Sequence, residues 1–351
     1  MSEIIYKDNS RNLLIRRSDT YSPEFLALLE RTIWGSGGLK YSINGMAEIL
    51  NRIQTPHFLT LEENGKPIGV LNLIQKTTRL RGRDYPAVYS YGLAIDATKR
   101  GKGYGTLLAE QALHYGLGKI GERGIYYGYV ESDNIHSLKA IQKVGRKSIG
   151  LYHSLIISRF NPKHANYLTK LQESEKQKLI QLLYGQYGNH SLVDFGQSVK
   201  AEDYYVLTQG DEIIAGLQCE KNHLTIKYLP GSGGFFLLKL MPYIPILRSL
   251  IPDGNFHFLA LGNIFVKPGH EPKLFKLIEA VLAKYQHNFG MIYMDKRSPV
   301  YQRLERERKF GIFNSLVNVP VHVMAYLKGF TETEMAEIQQ QPIYISIMDP
   351  V

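Results

Sequence analysis

Arg100-Gly-Lys-Gly-Tyr-Gly105 puts two cations and three glycines into six consecutive residues. A pyrophosphate carries negative charge and several acceptor oxygens, so backbone N–H groups converging at a helix N-terminus hold it well, with the positive end of the dipole behind them. Gly103 and Gly105 remove side chains that would keep such a ligand away from the backbone, while Arg100 and Lys102 add charge-assisted contacts. Other phosphate loops do not fit. No G-x-x-x-x-G-K-S/T run is present, and Gly101-Lys-Gly103 leads to Thr106 instead of the third glycine of a dinucleotide fingerprint.

Such a loop works only between a strand and a helix. Val88 to Ile95 reads as the strand, and Gly105 to Leu117 as a helix with Leu107, Leu108, Ala112 and Tyr115 at helical spacing. Downstream, Ile125 to Val130 reads as strand, Asn134 to Lys143 as a helix closed by Gly145, and Ser148 to Ile157 as strand. Upstream, Leu13 to Arg17 is a strand, Ser22-Pro opens a helix, and Phe58 to Leu61 and Ile68 to Leu73 flank the hairpin pair Asn64-Gly65. The fold class is therefore α/β (α+β mixed sheet), a mixed, mostly antiparallel twisted sheet flanked by helices.

The second half repeats this layout by spacing more than by identity. Gly124 and Gly145 are 21 residues apart, as are Gly290 and Gly311, and Tyr127, Ser132, Leu138 and Lys143 fall opposite Tyr293, Ser298, Leu304 and Lys309. With 351 residues, two domains are expected, at 1–160 and 161–351. Lys163 to Lys178 reads as a helical connector, and the apolar stretch Phe235 to Ile251 as an insertion. The matching glycine loop is lost in the second half, where Val266-Lys-Pro-Gly-His270 carries a proline in place of a backbone donor.

Composition is that of a globular protein, 44% hydrophobic and 21% charged. The net charge of +10 is uneven: residues 1–160 hold 22 Lys and Arg against 14 Asp and Glu. A basic first half suits a small phosphorylated ligand or a nucleic acid, but no basic helix or aromatic-basic stripe supports the latter, so nucleic acid is not an expected partner. Cys219 alone gives neither a disulfide framework nor a thiol metal cluster and reads as a packing residue, and no metal is expected. The N-terminus lacks the apolar core of a secretory signal and no stretch is long enough for a membrane span, so a cytoplasmic location is expected.

From Leu93-Ala-Ile-Asp-Ala-Thr-Lys-Arg-Gly-Lys-Gly-Tyr-Gly-Thr106 through Asn134-Ile-His-Ser137 to Lys143-Val-Gly145, the chain closely resembles the GNAT superfamily of acyl-CoA-dependent N-acyltransferases. The resemblance implies two GNAT-like domains, the second degenerate and shaping the substrate cleft. It implies acetyl-CoA, or another acyl-CoA, as co-substrate and a small-molecule or peptide amine as acceptor. By position, Leu93, Ala94 and Ile95 would offer backbone to pantetheine, Arg100, Gly101, Lys102, Gly103, Tyr104, Gly105 and Thr106 would form the pyrophosphate turn, and Asn134 and Ser137 would complete the cofactor site.

Acyl transfer to an amine needs a base for the amine, a donor for the thioester oxygen and a proton for the leaving thiolate. The glutamate that some family members carry on the fourth strand is here Tyr89, the frequent tyrosine acid is Ile141, and the phenylalanine after the closing glycine is Arg146. Tyr89 and Tyr91 share one face of their strand and Tyr127 and Tyr129 one face of theirs. Glu131 is the carboxylate nearest the strand end, and His153 is an alternative base on a strand expected to border the substrate. Glu131, Tyr89, Tyr129 and His153 are thus the candidate catalytic groups. The C-terminal carboxylate, which some tandem members use as base, is a further candidate. The arginines at 79, 81 and 83 fall in a loop where they either attract an acidic substrate or decorate a hairpin tip. The missing family residues also leave an alternative reading, an acyl-CoA-binding pseudoenzyme or sensing module.

Overall fold

The computed structural model describes residues 2–35, 38–165, 168–229, 254–315 and 320–349. The first half runs β1 (Ser2–Asp8), β2 (Leu13–Ser18), α1 (Pro23–Glu30), β3 (Lys40–Ile43), α2 (Met46–Asn51), β4 (Pro56–Glu63), β5 (Lys66–Leu80) and β6 (Arg83–Ile95). It continues with α3 (Tyr104–Lys119), β7 (Gly124–Glu131), α4 (Ile135–Lys143) and β8 (Lys147–Ser158). The second half runs β9 (Thr169–Lys170), α5 (Lys176–Gln186), α6 (Phe195–Ser198), β10 (Tyr204–Gln209), β11 (Glu212–Tyr228) and β12 (Asn255–Val266). It ends with α7 (Glu271–Lys284), β13 (Phe289–Met294), α8 (Pro299–Arg306), β14 (Pro320–Lys328) and α9 (Glu332–Gln340).

Local chemistry accounts for the entry and the first core. The Ser22 hydroxyl accepts from the Phe25 N–H at 3.2 Å, satisfying one orphan donor of α1. Leu108, Ala112 and Leu113 of α3 bury against Val88 and Tyr126 of the sheet, with Leu59, Leu61 and Leu73 beside them. Close approach is possible because Gly116 faces the Tyr126 ring, which a Cβ would meet at 2.5 Å.

One sheet passes through both halves in the order β1-β2-β4-β5-β6-β7-β14-β8-β13-β12-β11-β10-β9, with β3 pairing β11. β6 and β7 are parallel, as are β12 and β13, while the other pairs are antiparallel. The two parallel pairs, each with its crossover helix, repeat the layout expected from the glycine spacing. Their closing strands are exchanged: β14 lies beside β7, and β8 lies beside β13. The expected boundary at 160/161 falls between β8 and β9, yet the sheet is continuous across the halves.

The structure corrects two local expectations and places others. Lys163 to Lys178 is not a single helix, because β9 and a short 3-10 turn, Glu173–Glu175, precede α5. The helix that the spacing places before Gly311, as α4 lies before Gly145, is α8, and it ends at Arg306, short of that glycine. Arg79 pairs with Asp84 at 2.8 Å and stacks over Tyr184 at 4.1 Å, and Arg81 pairs with Glu334 at 3.5 Å and with Glu337, so these two arginines tie the β5–β6 tip to the second half. Cys219 is buried, and burial pushes its thiol up to about 12. The insertion Phe235 to Ile251 lies outside the described residues. No described helix is long and apolar enough to cross a membrane.

Candidate active site

The parallel pairing of β6 and β7 runs from Ala87↔Ile125 to Ser90↔Gly128 and then stops. Beyond it the two strands part, and a cavity of about 1510 Å³ enters between them and extends into the second half. That exceeds the range of ordinary small-ligand pockets, roughly 300–1,000 Å³, and leaves room for a cofactor together with an acceptor.

The glycine loop forms one end of this cavity. Asp96 accepts from the Thr98 N–H at 3.0 Å, fixing the 3-10 turn Ala97–Lys99 that leads into the loop. Gly101 and Gly103 take φ of +78° and +81°, and a Cβ at either would meet nothing within 4 Å. The left-handed backbone therefore favours glycine there, and the space above both is open. Leu93, Ala94, Ile95, Arg100, Gly101, Gly103, Tyr104, Gly105, Thr106, Asn134 and Ser137 all line the cavity. Lys102, expected in the same set, is not among the lining residues. The Asn134 side chain caps α4, its Oδ1 accepting from the Ser137 N–H at 3.1 Å.

A bulge shapes the wall opposite. The register between β5 and β6 shifts between Val70/Ala94 and Asn72/Tyr91, and Gly92 there takes φ of +70°. Asn72 supports the bulge, its Nδ2 donating to the Tyr91 carbonyl at 3.3 Å. The bulge turns backbone beside Leu93 out of the regular ladder, toward the cavity it lines.

On one face of the parted strands stands a tier of aromatic rings. Tyr89 and Tyr129 have ring centroids 5.0 Å apart, Tyr129 and Tyr152 5.1 Å, and Tyr152 and Tyr293 of the second half 5.8 Å. Burial holds the Tyr89 and Tyr129 phenols well above their ordinary range, so neither is a base at neutral pH. Glu131 ends the same face of β7 and accepts a hydrogen bond from the Tyr41 hydroxyl at 3.2 Å. Burial, reinforced by Asp133 and opposed by that hydrogen bond, pushes the Glu131 carboxyl up to about 7. Tyr41 is a residue that sequence reasoning missed: it is brought here by β3, whose partner β11 lies far away in the chain.

His153 sits between Tyr152 and Ser154, which line the cavity, but does not line it itself. Period-two alternation turns its ring to the other face of β8, contrary to expectation. There, burial and Lys296 hold its pKa below the ordinary value.

Deeper in, Lys76 donates to Asp194 and Asp349, both at 2.6 Å, and all three side chains are buried. Tyr127 and Tyr129 each donate to Asp349 Oδ2 at 2.8 Å. The hub fastens the segment around Asp349 to β5 and β7. Val351, the other base candidate, lies outside the described residues. Lys76→Met leaves two carboxylates buried without their ammonium, and we expect a loss of about 3–5 kcal/mol in stability, measured by chemical denaturation.

Three comparisons with known proteins bear on this arrangement. Residues 25–145 match the family model described as the acetyltransferase (GNAT) family. Among solved structures, an N-myristoyltransferase from Saccharomyces cerevisiae with bound myristoyl-CoA is similar with a TM-score of 0.57 and 11% identity, covering 92% of this chain and 82% of that one. A GCN5-related N-acetyltransferase from Anabaena variabilis is similar with a TM-score of 0.50 and 10% identity, covering 89% of this chain and 72% of the other. At such identities the likeness is one of fold. No curated protein sequence matches the chain.

Proposed function

We propose, from the premise that residues 25–145 form a domain of the acetyltransferase (GNAT) family, that the chain transfers an acyl group from acyl-CoA to a primary amine in a ternary complex. The observation that carries this reading is the cavity joining the glycine loop to the half-buried Glu131 carboxylate across the parted strands. In this reading the pyrophosphate lies on the N-terminus of α3, where first-turn N–H groups have no partner within the helix. Pantetheine runs along Leu93 to Ile95. Backbone freed by the Gly92 bulge polarises the thioester oxygen.

Glu131 acts as general base. The amine nitrogen attacks the thioester carbon and gives its proton to the Glu131 carboxylate. The C–N bond forms, the C–S bond breaks, and CoA departs as a thiolate that takes a proton from solvent. A base near pH 7 suits this task, since it is half ionised at neutrality while still basic enough to accept. Acetyl-CoA is the simplest donor, and the acceptor is a small-molecule or peptide amine.

Calorimetry with acetyl-CoA and mass spectrometry of products from an amine panel test the proposal. Binding together with amide formation supports it, and absence of both overturns it. Tight binding without any amide leaves the chain as an acyl-CoA-binding module. Tyr41 supplies a finer check. Its hydrogen bond favours the ionised form of Glu131, so Tyr41→Phe raises the Glu131 pKa further, and the acid limb of the kcat profile moves to higher pH. An unmoved limb, measured between pH 5 and 9, contradicts the role given to Glu131.

A further inference from the structure

Arg146 is a buried charge that acyl transfer, as described, leaves unused. It stands immediately before β8 and is only 4% exposed. Its Nε and Nη2 donate to the Met324 carbonyl at 3.2 and 2.8 Å, its Nη1 donates to Ser90 Oγ at 3.3 Å, and the guanidinium lies 5.0 Å from the centre of the Tyr126 ring. No carboxylate among the described residues pairs with it. Burial lowers its pKa to about 10, which still leaves it charged at neutral pH. A guanidinium has five N–H donors, and these three bonds leave two without a named acceptor. A buried cation without an anion is costly, and cores are normally arranged to avoid it.

Its position matters more than its burial. Ser90↔Gly128 is the last pair before β6 and β7 diverge, so it marks the apex of the wedge. The cavity reaches Ser90, Gly128 and Arg146. Gly128 keeps this apex open: a Cβ there would lie 2.6 Å from Ser90 Oγ and 2.8 Å from Arg146 Nη2. Tyr126 and Gly128 point to the α3 face of β7, while Tyr127, Tyr129 and Glu131 occupy the opposite face. The wedge therefore has an amine side, with the carboxylate, and a floor, with the guanidinium.

We propose that Arg146 selects the acyl group, favouring short acyl chains that end in a carboxylate, of the succinyl and glutaryl type. The inference rests on the reading that the wedge holds an acyl-CoA thioester. A terminal carboxylate entering the apex gives the guanidinium both a counter-charge and two acceptor oxygens, the pairing for which its planar fork is suited. An alkyl chain of equal length would instead bury its methyl end against an unpaired cation. Transfer remains the same chemistry: the amide C–N bond forms, the thioester C–S bond breaks, and the distal carboxylate is unchanged.

Succinyl-CoA and butyryl-CoA have acyl chains of matched length and differ in the end group, so their dissociation constants and kcat/KM values are compared on the full chain. The wild type is expected to prefer succinyl-CoA by about tenfold or more, the effect of one charge-assisted hydrogen bond. Arg146→Met is expected to bring that ratio to about one. Equal affinity of the wild type for the two thioesters overturns the inference, and this comparison stands even where the variant fails to fold. A preference that survives in a folded Arg146→Met overturns it too. Binding of acetyl-CoA separates the two levels: if it binds while succinyl-CoA shows no advantage, only the selectivity fails, and if no CoA thioester binds, the acyltransfer reading fails with it.

Discussion

Glu131→Gln is expected to lower kcat by about 10²- to 10⁴-fold, the usual contribution of a positioned general base. The side chain keeps its shape and can still accept the Tyr41 hydrogen bond through its amide oxygen, so what is lost is the ability to take a proton. The pH dependence carries the sign. In the proposed mechanism the ionised carboxylate is the active form, and its pKa is about 7, so kcat is expected to fall as pH drops below neutrality, approaching tenfold per unit. An ordinary exposed glutamate would place that limb near 4.3. The Gln variant should show low activity without a limb near 7. Binding of acyl-CoA to the variant, measured in parallel, separates lost chemistry from lost fold. Activity within threefold of wild type would remove Glu131 from the mechanism.

The elements around the glycine loop were legible because phosphate binding by backbone requires a local arrangement. Arg100 to Gly105 must follow a strand and open a helix, and both partners lie within about twenty residues of the loop. The repeat was legible for a similar reason, since glycine spacing within each half survives even where the loop does not. The exchange of β8 and β14 was not, because period-two patterning identifies a strand and not its neighbour. Glu131 is identifiable from its place at the strand end, but its raised pKa comes from burial and from Asp133, and the hydrogen bond that opposes the rise comes from Tyr41, a residue 90 positions away. The Asp349 hub joins residues separated by 273 positions, from Lys76 to the tail, and no local signal announces it.

Two further features are visible as local patterns along the chain. Gly92 interrupts an otherwise regular strand pattern, which points to a bulge or to close backbone approach. Parity along Tyr152-His-Ser154 already sets His153 against its neighbours, so cavity-facing Tyr152 and Ser154 exclude it. Arg146 was visible as a departure from the family pattern. Its burial at the wedge apex follows only from the pairing of β6 with β7 and the carbonyl of Met324 on β14.

Gly103→Trp is expected to abolish measurable acyl-CoA binding, a loss of about 100-fold or more, equivalent to roughly 2.7 kcal/mol. The residue has φ of +81°, and a Cβ there meets no atom within 4 Å, so the indole finds room in the space assigned to the pyrophosphate. Two costs must be kept apart. Any side chain at this φ strains the backbone by about 1–2 kcal/mol, which lowers stability whatever the ligand does. Only a bulky one fills the cradle. Gly103→Ala is therefore the control: it carries the backbone strain, and its loss of affinity should be much smaller than that of the Trp variant. Acetyl-pantetheine, which lacks the pyrophosphate, supplies the second control, because in the proposed mode it lies along Leu93 to Ile95 and does not use the loop. A Trp variant that still binds acetyl-CoA as the wild type does would show that the pyrophosphate lies elsewhere. A variant that loses acetyl-CoA and acetyl-pantetheine alike would indicate a distorted domain, since the loop accounts for the difference between these two ligands and not for what they share.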